Sequence, residues 1–170
     1  DLSRQQIIEI RKYDDGGYLE IESPGRFPEG VTTENYLRKT NPRNPNIMDI
    51  LREIGLAEKA GSGFDKIFTD LLKKGKSLPE PEETDTSVIF RIKSDVVTEK
   101  LIELSLMFES QTGKPMKLDE LLVLSEVVNH RQIKLSDLAS MPNIGQYRLQ
   151  AILDKLQALE FIETTGKTSG

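Results

Sequence analysis

Three small residues in a row, Gly61-Ser62-Gly63, stand just ahead of an apolar-periodic segment. Small residues let backbone N–H groups approach an anion, and a helix N-terminus adds positive potential, so the triplet has the chemistry of a phosphate cradle. It equally has the make-up of a loop that needs a flexible backbone. Asp65, in the first turn that follows, would repel a phosphate but suits a helix N-terminus on structural grounds. Arg43 stands in an earlier loop, where its planar fork could clasp a phosphate or fix Glu58. A second group lies near the C-terminus. Gln146, Tyr147, Arg148 and Gln150 take outward positions at the start of a helical segment. Arg and Gln side chains can make bidentate contacts with guanine and adenine edges. Arg131 and Lys134 precede that segment, placed to meet phosphates, and Lys167 follows it, where the tip of a wing would sit.

Composition removes other chemistries. The 170 residues include no cysteine and one histidine, so disulfides, thiolate nucleophiles, Cys-based metal sites and paired imidazoles are excluded. No catalytic residue and no metal ligand set is expected. Asp14 and Asp15 are adjacent and read as turn formers, because neighbours in a strand point to opposite faces. Glu80, Glu82 and Glu83 lie in the two-proline stretch Ser77 to Thr86 and read as a solvated loop, and His130 reads as a helix-end cap.

The net charge is −5 and the pI near 5.1, so the chain has no general attraction to nucleic acid or anionic lipid. Residues 1–95 carry 15 basic and 18 acidic side chains, and residues 96–170 carry 8 and 10, so neither half is the basic one. Any DNA contact must come from a local patch. No segment approaches the roughly 18 apolar residues needed to span a bilayer. The N-terminus Asp1-Leu2-Ser3-Arg4 has no basic start or apolar signal core. With zero cysteines, this points to a cytoplasmic protein. The abrupt opening into a strand-like run points to a fragment of a longer chain.

The elements that must position these residues follow from periodicity. Ile8 and Ile10 alternate with Glu9 and Arg11, and Leu19 and Ile21 with Glu20 and Glu22, around Asp14-Asp15-Gly16-Gly17; this predicts a β-hairpin. Thr32 or Thr33 could cap a short helix through Lys39. Asn44 and Pro45 fit the N-cap and first position of a helix whose Ile47, Ile50, Leu51 and Ile54 share a face, with Gly55 as its stop. Phe64, Ile67, Phe68, Leu71 and Leu72 form the buried stripe of the next helix, and Val88 to Ile92 reads as a strand.

From residue 94 the pattern is almost entirely helical. Thr98 to Phe108 is apolar on more than one side, and Leu104, Leu106 and Met107 fit either an interface stripe or inter-domain packing. Helices follow over Leu118–Asn129, from a Ser136 cap to Pro142, and over Gly145–Glu160, and Phe161 to Thr164 reads as a strand. This is the order of a winged helix-turn-helix, whose third helix can lie in the major groove. Such modules also serve as dimerisation and docking units.

Three spaced motifs carry a resemblance. Tyr13-Asp14-Asp15-Gly16-Gly17-Tyr18-Leu19-Glu20-Ile21-Glu22-Ser23-Pro24-Gly25, then Arg43-Asn44-Pro45, then Gly55-Leu56-Ala57-Glu58-Lys59-Ala60-Gly61-Ser62-Gly63 occur in order. Over about Ile7 to Ile92 the chain resembles the C-terminal domain of bacterial RecG-related helicases and transcriptional regulators. That domain is a divergent member of the GHKL ATPase superfamily, and it commonly follows a Schlafen-AlbA-type domain and precedes a winged helix. The resemblance implies that Ser23 and Gly25 stand at the first glycine box, and Gly61, Ser62 and Gly63 at the second, beside the phosphates. Arg43 completes the implied nucleotide set. Ser23, with Glu22 beside it, replaces the Asp that reads adenine in true GHKL ATPases. The helix bearing the water-activating Glu and magnesium-holding Asn would precede this chain, so the fragment is not expected to hydrolyse ATP, although a full-length parent could bind it.

The expected fold class is therefore α+β: a truncated GHKL-like α/β sandwich over 1–93, a linker helix over 94–116, and a winged helix-turn-helix over 117–170. The expected role is a regulatory module of a bacterial transcriptional regulator. DNA is the expected partner, self-association is open, and no membrane is involved. The alternatives are a fragment of an ATP-dependent helicase-related enzyme and a protein-interaction or dimerisation module.

Overall fold

A computed structural model describes residues 7–57, 62–141 and 144–165. The chain divides into two compact units, one formed by Asp1–Leu71 with Lys76–Val97 and the other by Leu72–Gly75 with Thr98–Gly170.

The first unit is built on an antiparallel sheet. Strands β1 (Glu9–Tyr13), β2 (Tyr18–Pro24), β3 (Pro81–Glu83) and β4 (Ser87–Lys93) take the order β1-β2-β4-β3. The hairpin register pairs Tyr13 with Tyr18 and Glu9 with Glu22. Asp14 to Gly17 form the turn, closed by Gly17 N–H donating to the Asp14 carbonyl. Helix α1 (Pro45–Glu53) starts as its sequence predicts, with Asn44 Oδ1 accepting from Ile47 N at 3.3 Å. No residue of α1 is buried, and Ile47 and Ile50 on it and Ile54 at its C-cap lie exposed.

Helix α2 (Ser62–Lys73) carries the core. Phe68, 1% exposed, packs with Tyr36 and Phe64, and Phe64 reaches β4 with its ring 5.4 Å from that of Phe90. The opposite face of the sheet is polar, because alternation brings Arg11, Glu20 and Arg91 into one cross-strand row.

The second unit is helical: α3 (Glu99–Thr112), α4 (Leu118–His130), α5 (Leu135–Ala139) and α6 (Gln146–Ala158). Leu101, Phe108, Leu121, Leu124 and Leu156 are buried at its centre. Gly75, which belongs to this unit, adopts φ +65°, and a Cβ there would stand 2.6 Å from the Thr98 carbonyl oxygen. Only glycine fits both constraints.

Several local expectations are corrected. Residues 33–38 form turns rather than a helix, with side chains bonding the local backbone: Asn35 Oδ1 accepts from Thr32 N at 2.8 Å and Thr32 Oγ1 from Glu34 N at 3.2 Å. The acidic stretch at 80–83 is not wholly a loop. Pro81 to Glu83 add an edge strand to β4, with the proline tolerated at the edge. The short helix starts at Leu135, with Lys134 rather than Ser136 at its N-cap. Residues 161–165 form no strand. Phe161 instead folds back, its N–H donating to the Leu156 carbonyl and its ring 5.9 Å from that of Phe108. The expected stop at Pro142 lies outside the described residues.

Candidate functional site

The sheet end of the proposed nucleotide set is built by the turn that follows β2. Gly25 adopts φ +86°, and its N–H donates to the Thr86 carbonyl at 2.7 Å. The Arg43 guanidinium lies flat against it, with Nη1 2.6 Å from where a Cβ would stand. Arg43 Nη2 donates to the Arg26 carbonyl. The structure thus brings Gly25 and Arg43 together, with Ser23 exposed two residues before Gly25. The geometry ties Arg43 to the backbone of the turn. Gly63 is exposed in the first turn of α2, and a Cβ there would meet nothing within 4 Å. Ser62 is the first residue of α2, whereas Gly61 and Glu58 lie outside the described residues.

Glu22, beside Ser23, is also committed. Its carboxylate accepts from Arg11 Nη1 at 2.9 Å. Hydrogen bonding from Ser87 and then Arg11 holds its carboxyl below the usual carboxylate range. Glu20, in the same row, accepts from Arg91 Nε at 2.7 Å and from Arg11 Nη1 at 2.9 Å. Arg91, and then Arg11, lower its pKa. Arg91 also bonds Glu82 at 2.6 Å. Sequence reasoning missed this lattice, although the signal was there: a four-residue hairpin turn fixes which alternating residues face each other. At this end Arg43 is engaged by a backbone carbonyl and Glu22 by Arg11.

The second set lies in the helical unit. Helix α6 buries Leu149, Ile152 and Leu156 and turns Gln146, Tyr147, Arg148 and Gln150 outward. Tyr147 is 92% exposed. Arg148, however, is ion-paired to Asp119 of α4, with Nη2 2.5 Å from Oδ2. Asp119 is 2% exposed as a residue. One position further along α4, Glu120 Oε1 accepts from Lys155 Nζ at 2.7 Å, and Oε2 accepts from Lys117 N at 2.8 Å. Lys155 also stands 4.6 Å from the centre of the Phe108 ring. Arg148 and Lys155 are seven residues apart, two turns on one side of α6, so α4 takes up both cations of that helix. Gln150 Nε2 donates to Asp154 at 2.7 Å. The sequence read Arg148 and Gln150 as open contacts; the fold gives both an internal partner.

Arg131 and Lys134 are exposed in the α4–α5 turn. Arg131 has φ +52° and ψ −44°, and the next N–H, of Gln132, donates to the His130 carbonyl. That is a γ-turn of the rare strained kind. His130 stands 3.4 Å from Glu126, a turn earlier on α4. Lys167 lies outside the described residues. Among the described residues, no group of three or more acidic or histidine side chains is placed to hold a metal, and no helix is long and apolar enough to cross a membrane.

The fold is thus a mixed α+β chain: a four-stranded antiparallel sheet packed by helix α2 on one face, and a separate helical unit. Residues 5–93, just over half of the chain, match the family described as "Putative ATP-dependent DNA helicase recG C-terminal", and the chain belongs to that family. No curated protein matches it. Among solved structures it is similar to the DIP2311 protein from Corynebacterium diphtheriae, with a TM-score of 0.73 and 24% identity over 91% of this chain. It spans 32% of that protein, and the likeness concerns the fold alone.

Proposed function

We propose that this chain is a regulatory portion of a RecG-related protein: its GHKL-like first unit mediates assembly, and its helical unit, of winged helix-turn-helix type, contacts DNA. The observation that carries the reading is the order α4-α5-α6, with the apolar stripe of α6 buried and Gln146 and Tyr147 exposed at its start. That is the presentation a recognition helix requires. Arg131 and Lys134 supply the phosphate contacts from the preceding turn, and Lys167 adds a third. Ser23, Gly25, Arg43, Gly61, Ser62 and Gly63 mark the equivalent of a nucleotide site in the first unit. The engaged states of Arg43 and Glu22 favour assembly over nucleotide sensing there. A cytoplasmic bacterial setting follows from this reading.

A titration of duplex DNA at low and moderate salt tests it. Binding that weakens steeply with salt supports the DNA contact; no binding at low salt removes it. A second reading, a protein-interaction or homo-oligomer module, is favoured by the exposed Ile47 and Ile50 of α1 and Ile54 at its C-cap. Concentration-dependent assembly without DNA binding supports that one. A helicase-related enzyme fits the family equally, and calorimetric titration with a non-hydrolysable ATP analogue tests its first requirement.

A further inference from the structure

We propose that the first unit pairs with a second copy of itself through the outer edge of β1, antiparallel and in a register set by charge. The inference rests on the assembly reading of that unit and names the surface and the partner. Strand β1 ends the sheet on one side, and no described strand lies beyond it. Such an edge offers a row of backbone donors and acceptors to another strand. The row Ile10–Ile21–Phe90 runs across three strands to the ring of Phe64 on α2, yet its β1 end, Ile10, is 66% exposed. Ile8, just ahead of β1, is 60% exposed. Two-fold antiparallel pairing centred on Ile10 sets Ile10 against the partner's Ile10 and each Glu9 against the partner's Arg11. The apolar row then continues across the axis, and a Glu–Arg pair lies on either side of it on the polar face. Centring on Glu9 or on Arg11 instead opposes like charges at the axis. A centre between two residues puts the two apolar rows on opposite faces. Arg11 gathers Glu9, Glu20 and Glu22 within its own sheet. Each Glu9 thus gains the partner's guanidinium while Arg11 keeps Glu20 and Glu22. The product is one continuous sheet with four strands from each copy and both α2 helices on one side. The paired strand is only 5 residues long, so the association is weak and reversible.

The chain has no cysteine, so a single introduced one reports the register. Opposed residues of an antiparallel pair have Cα atoms about 4.5–5.5 Å apart, within reach of a disulfide. Ile10→Cys should therefore form a covalent dimer under a mild oxidant. Ile8→Cys, at a similarly exposed position, would stand about 14 Å from its own counterpart, four residues along the strand, and should stay monomeric. Sedimentation velocity over a range of concentrations measures the reversible association. Ile10→Lys sets like charges face to face on the axis and should weaken it about tenfold. Ile50→Lys, on α1, should leave it unchanged. Circular dichroism shows that each variant is folded. Equal cross-linking of Ile8→Cys and Ile10→Cys overturns the proposal. Association that survives Ile10→Lys overturns it as well; its loss in Ile50→Lys would then move the interface to α1 and leave the assembly reading in place. A chain that sediments as a monomer at every concentration, with no cross-linking of Ile10→Cys, overturns the proposal and the assembly reading together.

Discussion

Arg148 of α6 and Asp119 of α4 form an ion pair, Nη2 to Oδ2 2.5 Å, in which the carboxylate side chain is 3% exposed and the guanidinium 59%. Removing the arginine takes a counter-charge away from a buried carboxylate. Arg148→Ala should therefore lower the unfolding free energy by about 2–3 kcal/mol, under the range for a wholly buried pair because the guanidinium is mostly in water. Urea unfolding checks it. A loss under about 0.5 kcal/mol would show that Asp119 is satisfied without the arginine. The same variant is a poor probe of DNA contact, since it perturbs the fold that presents α6.

Gly25 and Arg43 are coupled by shape. Gly25→Ala adds a methyl at φ +86° and drives it into the guanidinium. The expected cost is about 1–3 kcal/mol, from strain and contact together. Arg43→Ala in the same chain should recover the contact share and leave the conformational share. If the double variant is no more stable than Gly25→Ala, the guanidinium yields freely and the turn is not sealed by it.

The sheet's ion lattice sets an acid limit. Glu20 and Glu22 titrate below their unfolded value near 4.5. A carboxylate with a depressed folded pKa contributes stability that is present above its unfolded pKa and lost as pH falls through the folded one. Urea midpoints should hold steady above about pH 5 and drop below about 4.5. Glu20→Gln should flatten that drop. An unchanged acid profile in Glu20→Gln would assign the loss to other carboxylates.

Tyr36 titrates late. Burial, and then the nearby Glu80, push its phenol up to about 12. A raised pKa favours the neutral form in the fold, so this stabilisation is complete below the unfolded value of 10.0 and is lost as pH rises through 12. In an ultraviolet titration the Tyr36 phenol should ionise late, near pH 12. Its late step should vanish in Tyr36→Phe. A single step near pH 10 for all four tyrosines would contradict the buried setting.

Phe68 anchors the aromatic core of the first unit. Phe68→Ala should cost about 3–5 kcal/mol, because it leaves a cavity where a buried ring packed against Tyr36 and Phe64. Thermal unfolding followed by circular dichroism measures it. A cost below 1 kcal/mol would mean that Phe64 and Tyr36 collapse into the gap.

Local pattern alone settled much of this protein. Alternation around Asp14-Asp15-Gly16-Gly17 fixed the hairpin, and Asn44-Pro45 fixed the start of α1, because turn and cap chemistry act within a few residues. The apolar stripes of α2 and α6 likewise marked the buried Phe68, Leu71, Leu72, Leu149, Ile152 and Leu156, although Ile67, expected in the α2 stripe, is exposed. What sequence could not decide lies in contacts between distant segments. The strand at Pro81–Glu83 exists because β4 offers an edge, and none forms at 161–165, where Phe161 turns back onto Phe108. The states of the candidate site residues are of this second kind. Arg43 faces Gly25 across 18 positions and Arg148 meets Asp119 across 29, and nothing in either local sequence announces the partner. A side chain's type gives its chemical capacity. Whether that capacity is open to a ligand or spent inside the fold depends on which charge the packing brings beside it, and only the tertiary structure decides that.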